Sequence, residues 1–139
     1  FPDFSFDQQD IVTETEAFAA FVEGAIRAYG LDRSKLRFIG HSNGANFYAA
    51  FAALYPELAG DALLYRPMPV LETWPQTDLS GHNFLLVAGQ RDKYLDKASE
   101  LQGKLTASGA KAEMETVEDG HELGLTDIEA ARRWLAGAS

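Results

Sequence analysis

The chain has 139 residues, of which 12 are Lys or Arg and 21 are Asp or Glu, giving a net charge of −9 and a pI near 4.7. A nucleic-acid binder needs clustered cations to displace counterions, and an anionic bilayer repels an acidic chain, so the balance argues against nucleic acid and membrane as partners. With 46% hydrophobic residues, no cysteine, no visible signal peptide and no apolar run near the ~20 residues of a spanning helix, the sequence reads as a soluble, cytoplasmic, single globular domain over residues 1–139, without disulfides or thiolate chemistry.

The first element is a helix over 8–29, with apolar residues at Ile11, Phe18, Phe21, Val22, Ala25, Ile26 and Tyr29 in helical spacing and Gly30 as its stop. Residues 36–39 form a short strand, and an alanine-rich helix over 45–55 ends at Pro56. A second strand covers 62–65. The stretch 66–82, with Pro67, Pro69, Pro75 and Gly81, reads as loop. The third strand, 84–88, is wholly apolar, as expected for a parallel sheet covered on both faces. A helix over 95–107 closes at Gly109, and 113–117 alternates as a fourth, more exposed strand near a sheet edge. After a turn at Asp119-Gly120-His121-Glu122, the Thr126-x-x-Glu129 spacing has the form of a capping box that opens a last helix. Strand and helix alternate throughout, which predicts an α/β protein with a mainly parallel sheet of about four strands flanked by helices.

Chemistry concentrates at Gly40-His41-Ser42-Asn43-Gly44, where the first strand stops and the alanine-rich helix starts. A Gly-x-Ser-x-Gly spacing arises by chance in roughly one chain of this length in twenty, so its position between strand and helix carries most of the weight. Such a turn strains the serine backbone and exposes its hydroxyl. A side chain at Gly40 or Gly44 is expected to crowd strand against helix. A serine hydroxyl is a poor nucleophile without a base to take its proton and an anion to orient that base. The amide of Asn43, opening the helix, is a candidate oxyanion donor.

There are three histidines from which to choose the base. His41 adjoins Ser42 and is expected to point beneath the sheet, and His82 precedes the third strand at the unsuitable end. His121 follows the fourth strand at the carboxyl end, where catalytic groups gather, and is the candidate. For the acid, Asp92 follows the third strand and completes the chain order Ser, Asp, His. The plainer reading is that Asp92 caps the next helix. Asp96 is the substitute, while Asp119 is too near His121 in sequence and Asp78 belongs to the long loop. Arg66 and Met68 are candidate pocket-lining residues, although an exposed loop accounts for them as well. Phe47, Tyr48 and Phe51 read as core. No phosphate-binding loop and no His-Glu-x-x-His zinc pattern occurs.

The segments "FIGHSNGAN", "ALLYRPMPV", "LLVAGQRDKYL" and "VEDGHELGLTDIEAARRWL" resemble the phospholipase/carboxylesterase branch of the α/β-hydrolase superfamily, in particular its small bacterial carboxylesterases related to dienelactone hydrolases. The resemblance runs over essentially the whole chain. It implies Ser42 as nucleophile, Asp92 as acid, His121 as base and hydrolysis of small carboxylic esters or thioesters with no cofactor and no metal. Apart from the resemblance, His41 beside the elbow joins Arg66 and Met68 as a candidate for the pocket lining.

The chain opens at Phe1, and roughly the first third of the family pattern, with its further strands and the His-Gly segment that gives a second oxyanion amide, has no counterpart ahead of the first helix. The four strands are then the C-terminal part of an α/β-hydrolase sheet, and strand 36–39 becomes an apolar edge that invites pairing. A homodimer, or association with a separate N-terminal fragment, is expected to complete it. The alternative from another class is a hydrolase-like module with little or no turnover, serving binding or structure.

Overall fold

The computed structural model describes residues 6–118 and 120–137; Phe1 and Asp119, both weighed above, lie outside the described residues. Helix α1 runs Gln8–Tyr29, with Asp7 accepting the Gln9 and Asp10 amides at its N-terminus and Gly30 left-handed at its end (φ 61°). The C-terminal end follows its sequence signal, because glycine enters the left-handed region without a Cβ clash, and at the other end the aspartate satisfies orphan amides. Strand β1 (Arg37–His41) leads into α2 (Asn43–Leu54), then β2 (Asp61–Tyr65), β3 (Asn83–Gly89), α3 (Leu95–Ala107), β4 (Lys111–Val117) and α4 (Leu125–Gly137). The four strands lie in the order β1-β2-β3-β4, every pair parallel.

Alternation along the strands sorts side chains onto two faces. Ala62, Leu64, Phe84 and Leu86 join a core with Val22 of α1, Ala45, Ala49 and Phe51 of α2, and Leu101 and Leu105 of α3. Leu63, Tyr65 and Val87 face the other way, against Ala130 and Trp134 of α4. Small residues let α2 lie close to the sheet, since Ala45, Ala49, Ala52 and Ala53 are all buried. Aromatic packing fills the space towards α1: the Phe18 ring meets Phe51 edge-on at 4.8 Å, and Phe38 stacks on Tyr48 at 4.6 Å. A fully buried apolar side chain such as Phe51 contributes about 1.5–3 kcal/mol. Tyr48 and Phe51 thus belong to the core as read from sequence, whereas Phe47 is half-buried outside it, edge-on to Phe18.

The sheet has two contrasting edges. β4 is the half-exposed edge that its alternation predicted. β1 pairs with β2 alone among the described residues, and its Ile39 is 55% exposed. Among the described residues no helix is long and apolar enough to cross a membrane.

One boundary moved for a physical reason. α4 starts at Leu125, ahead of Thr126, and the reciprocal capping contact is made by Gly124 and Asp127, whose Oδ2 accepts the Gly124 amide at 2.8 Å. The Thr126-x-x-Glu129 box is therefore displaced by one turn-opening pair that buries its aspartate, which Thr126 and Glu129, both exposed, do not.

Candidate active site

Ser42 stands one residue beyond β1 at φ 54°, ψ −116°, a conformation that an L-residue holds only under constraint. Its amide still extends the parallel ladder, donating to the Tyr65 carbonyl at 2.9 Å. Gly40 permits the sharp turn: a Cβ there would stand 2.8 Å from the Ala45 nitrogen and 2.9 Å from the Gly44 carbonyl carbon. At Gly44 the expected crowding is absent, because a Cβ would meet nothing within 4 Å. Of the two motif glycines, Gly40 is the one that the close strand–helix approach requires. Asn43 is exposed at the first position of α2, so its amide belongs to the first turn, whose N–H groups have no acceptor inside the helix.

Three side chains from separate strand ends meet here. Ser42 Oγ lies 2.8 Å from His121 Nε2, and His121 Nδ1 lies 2.8 Å from Asp92 Oδ2. With its Nδ1 proton given to the Asp92 carboxylate, the imidazole presents Nε2 as acceptor to the serine hydroxyl. Asp92 is 8% exposed and uses both oxygens, since Oδ1 accepts the Tyr94 amide at 2.9 Å in the turn that leads into α3. The helix-approach role and the histidine contact, weighed as rivals from sequence, coexist. Asp96 is exposed on α3, Asp78 accepts from the Ser80 amide, and His82 sits at the far end of β3.

His41 does not turn wholly away from the site. Its Nε2 donates to the His121 carbonyl at 3.2 Å, with the two rings 5.8 Å apart, so it supports the His121 loop and is not part of the cleft wall. Arg66 overturns the exposed-loop alternative. It is 2% exposed, sits at φ 53° one residue beyond β2, and forks onto both oxygens of Asp127 at 2.8 and 2.7 Å. Its Nε donates to the Gly120 carbonyl at 2.7 Å and its Nη2 to the Glu122 carbonyl at 3.2 Å. Beside this pair, burial, with the Asp127 carboxylate adding to it, pushes the Tyr65 phenol above its usual range. Tyr65 also donates to the Asp127 carbonyl.

A cleft of about 680 Å³ opens over Ser42, walled by Phe6, Ile11, Met68 and Tyr94, with Asp7, Asp10 and Lys93 also on its wall. Met68 lines it as expected, and Arg66 reaches it as well. Asn46, not singled out from sequence, also faces the cleft. It is buried, and its Oδ1 accepts the Met68 amide at 2.7 Å, tying the loop after β2 to α2. Its signal was available: a buried-face position of an alanine-rich helix, one turn after Ser42, occupied by an amide that must find a partner.

No family model matches the chain. It is 30% identical over 135 residues to "Putative hydrolase MhqD" of Bacillus subtilis (strain 168), across 96% of this chain and 68% of that protein. The crystal structure of a carboxylesterase from Mesorhizobium loti superposes with a TM-score of 0.91 at 40% identity, over 96% of this chain and 64% of that one. The Bacillus cereus carboxylesterase superposes at a TM-score of 0.89 and 29% identity, again over 96% and 64%. The chain thus spans about two thirds of the relatives that it matches. Relatedness at this level across nearly all its residues, on a parallel sheet of the same build, makes the chain a member of the α/β-hydrolase superfamily, on the branch that holds these carboxylesterases.

Proposed function

We propose that the chain carries the reacting side chains of a serine carboxylesterase, with Ser42 as nucleophile, His121 as general base and acid, and Asp92 as the anion that orients the imidazole. The observation that supports this most is the unbroken Ser42–His121–Asp92 hydrogen-bond series, begun by a serine held at positive φ. Ser42 Oγ attacks the acyl carbonyl as its proton passes to His121 Nε2. Collapse of the tetrahedral adduct returns that proton to the departing alkoxide, leaving the acyl group on Ser42. Water, deprotonated by His121, then releases the acid and restores the serine. The Asn43 amide stabilises the oxyanion in both steps.

The cleft wall suits small, uncharged acyl esters or thioesters. Its apolar side chains accept an acyl chain, while Asp7 and Asp10, set against Lys93, leave the exposed charge on its wall net negative and disfavour an anionic one. The open edge of β1 favours completion by a second copy or by an N-terminal segment, and a module with little turnover of its own is the second reading that this edge supports. Loss of one oxyanion donor costs roughly 100- to 1000-fold in turnover, so labelling discriminates better than rate. Fluorophosphonate treatment, read by intact mass, is expected to add one label that Ser42→Ala abolishes. A folded chain that takes no label, or a mutant that keeps it, removes the nucleophile assignment.

A further inference from the structure

Three consecutive carbonyls of the loop that carries His121 each accept a hydrogen bond from a side chain: Gly120 from Arg66 Nε, His121 from His41 Nε2, and Glu122 from Arg66 Nη2. A loop's backbone groups usually face water, so this is an unusual way to hold one. Two of the three donors come from one guanidinium. That guanidinium is itself fixed on its far side by Asp127, with both side chains essentially inaccessible to solvent. Asp127 closes the circuit by accepting the Gly124 amide, at the other end of the same loop.

The backbone of Arg66 adds an independent observation. The described residues contain two non-glycine positions at positive φ, Ser42 and Arg66, each one residue beyond one of two adjacent strands. Each continues the ladder by one bond, Ser42 N–H to Tyr65 and Arg66 N–H to Val87. Strain of this kind persists where the surroundings over-determine it, and it gathers at functional sites.

We infer that Arg66, clamped by Asp127, is the positioning residue of the site: it fixes the loop that aims His121 at both Ser42 and Asp92. Arginine suits the task because its planar fork addresses a carboxylate on one side while other N–H groups reach two carbonyls; a lysine ammonium cannot span these acceptors at once. The inference rests on the hydrolase reading for its kinetic consequence only, since the aim of His121 is itself measurable.

The test uses two variants. Arg66→Lys keeps a cation beside Asp127 and removes the fork. Arg66→Met with Asp127→Leu replaces the buried pair by apolar side chains of similar volume, a change that folded proteins often tolerate. In the wild type, the His121 Nδ1 proton on Asp92 is expected to give a sharp downfield proton resonance, assigned by its loss in His121→Gln. In both variants it should broaden or vanish while the amide spectrum stays folded. On a chromogenic ester, kcat should fall about 10- to 100-fold with KM nearly unchanged, as expected for a misaimed base. A wild type without that resonance, or folded variants that keep both it and full kcat, overturns the inference. Failure of both variants to fold overturns it too, since Arg66 would then serve the fold and not the aim of His121. If the wild type takes no label at Ser42, the hydrolase reading fails separately, and the resonance still decides the clamp.

Discussion

At the scale of single residues, Asp92 connects two tasks that a mutation can separate. One oxygen holds the turn into α3 through the Tyr94 amide, and the other holds His121 Nδ1. Asp92→Asn keeps the side chain's shape and can still accept at one atom, so the turn should survive. Facing Nδ1, the amide either offers its NH2 group or accepts with no charge, and the imidazole loses the anion that sets its tautomer. A fall of about 10,000-fold in kcat follows by analogy with serine hydrolases whose aspartate is so replaced. The expected result is that loss with an unfolding midpoint close to wild type, measured by ester hydrolysis and urea titration on the same preparations. A variant that retains kcat within tenfold would remove Asp92 from the proposed machinery.

Much of this residue-scale picture could be read in the sequence, and the parts that could not share a cause. Ser42 announces itself by local chemistry, a strand, a glycine-flanked serine and a helix start within a few residues. His121 and Asp92 follow from where the strands end. Arg66 and Asp127 stand 61 positions apart, and no local pattern links them. Among prolines, Arg66 reads as loop, and Asp127 is hidden inside the competing Thr126-x-x-Glu129 pattern. A buried ion pair is a tertiary event, so periodicity and capping rules have no access to it.

At the scale of elements, the junction of β1 and α2 decides where Ser42 points. The helix can approach the strand because position 40 has no side chain, and the geometry makes the two flanking glycines unequal. Gly40→Ala puts a methyl against backbone atoms that cannot rotate aside, so the helix must shift; overpacking of this kind costs about 1–3 kcal/mol. The displaced helix also carries the Ser42 and Asn43 geometry with it, so fluorophosphonate labelling should slow as stability falls. Gly44→Ala meets open space within α2 and replaces a helix residue of high conformational entropy, for a gain of up to about 1 kcal/mol. Urea midpoints of the two variants should therefore move in opposite directions. Equal destabilisation would mean that the junction depends on both glycines, as the symmetry of the motif first suggested. Sequence reading of the elements was otherwise close for α1 and α3, where caps and glycines mark the ends. It was looser for β4, whose first two residues carry no alternating apolar signal but pair with Asn83 and Phe84 of β3.

At the scale of the whole molecule, the sheet's two edge strands differ in what they expose. β2 and β3 are buried on both faces, whereas β1 leaves Ile39 55% exposed and, among the described residues, has β2 as its one neighbour. An edge strand with an exposed apolar side chain is a template for another strand. Two kinds of strand could fill it, and charge separates them. Each copy of this chain carries −9, so self-association brings like charges together and should strengthen as salt screens them, the Debye length being about 8 Å at physiological ionic strength. A complementary segment of opposite charge would bind more weakly as salt rises. Light scattering of the purified chain across a salt series is expected to give a mass above 15.2 kDa, increasing with salt. Ile39→Lys, which sets a cation on the edge strand without touching Ser42, His121 or Asp92, should bring the mass back towards 15.2 kDa. A mass fixed at 15.2 kDa at every salt concentration would end the self-pairing reading and leave the edge to a separate segment.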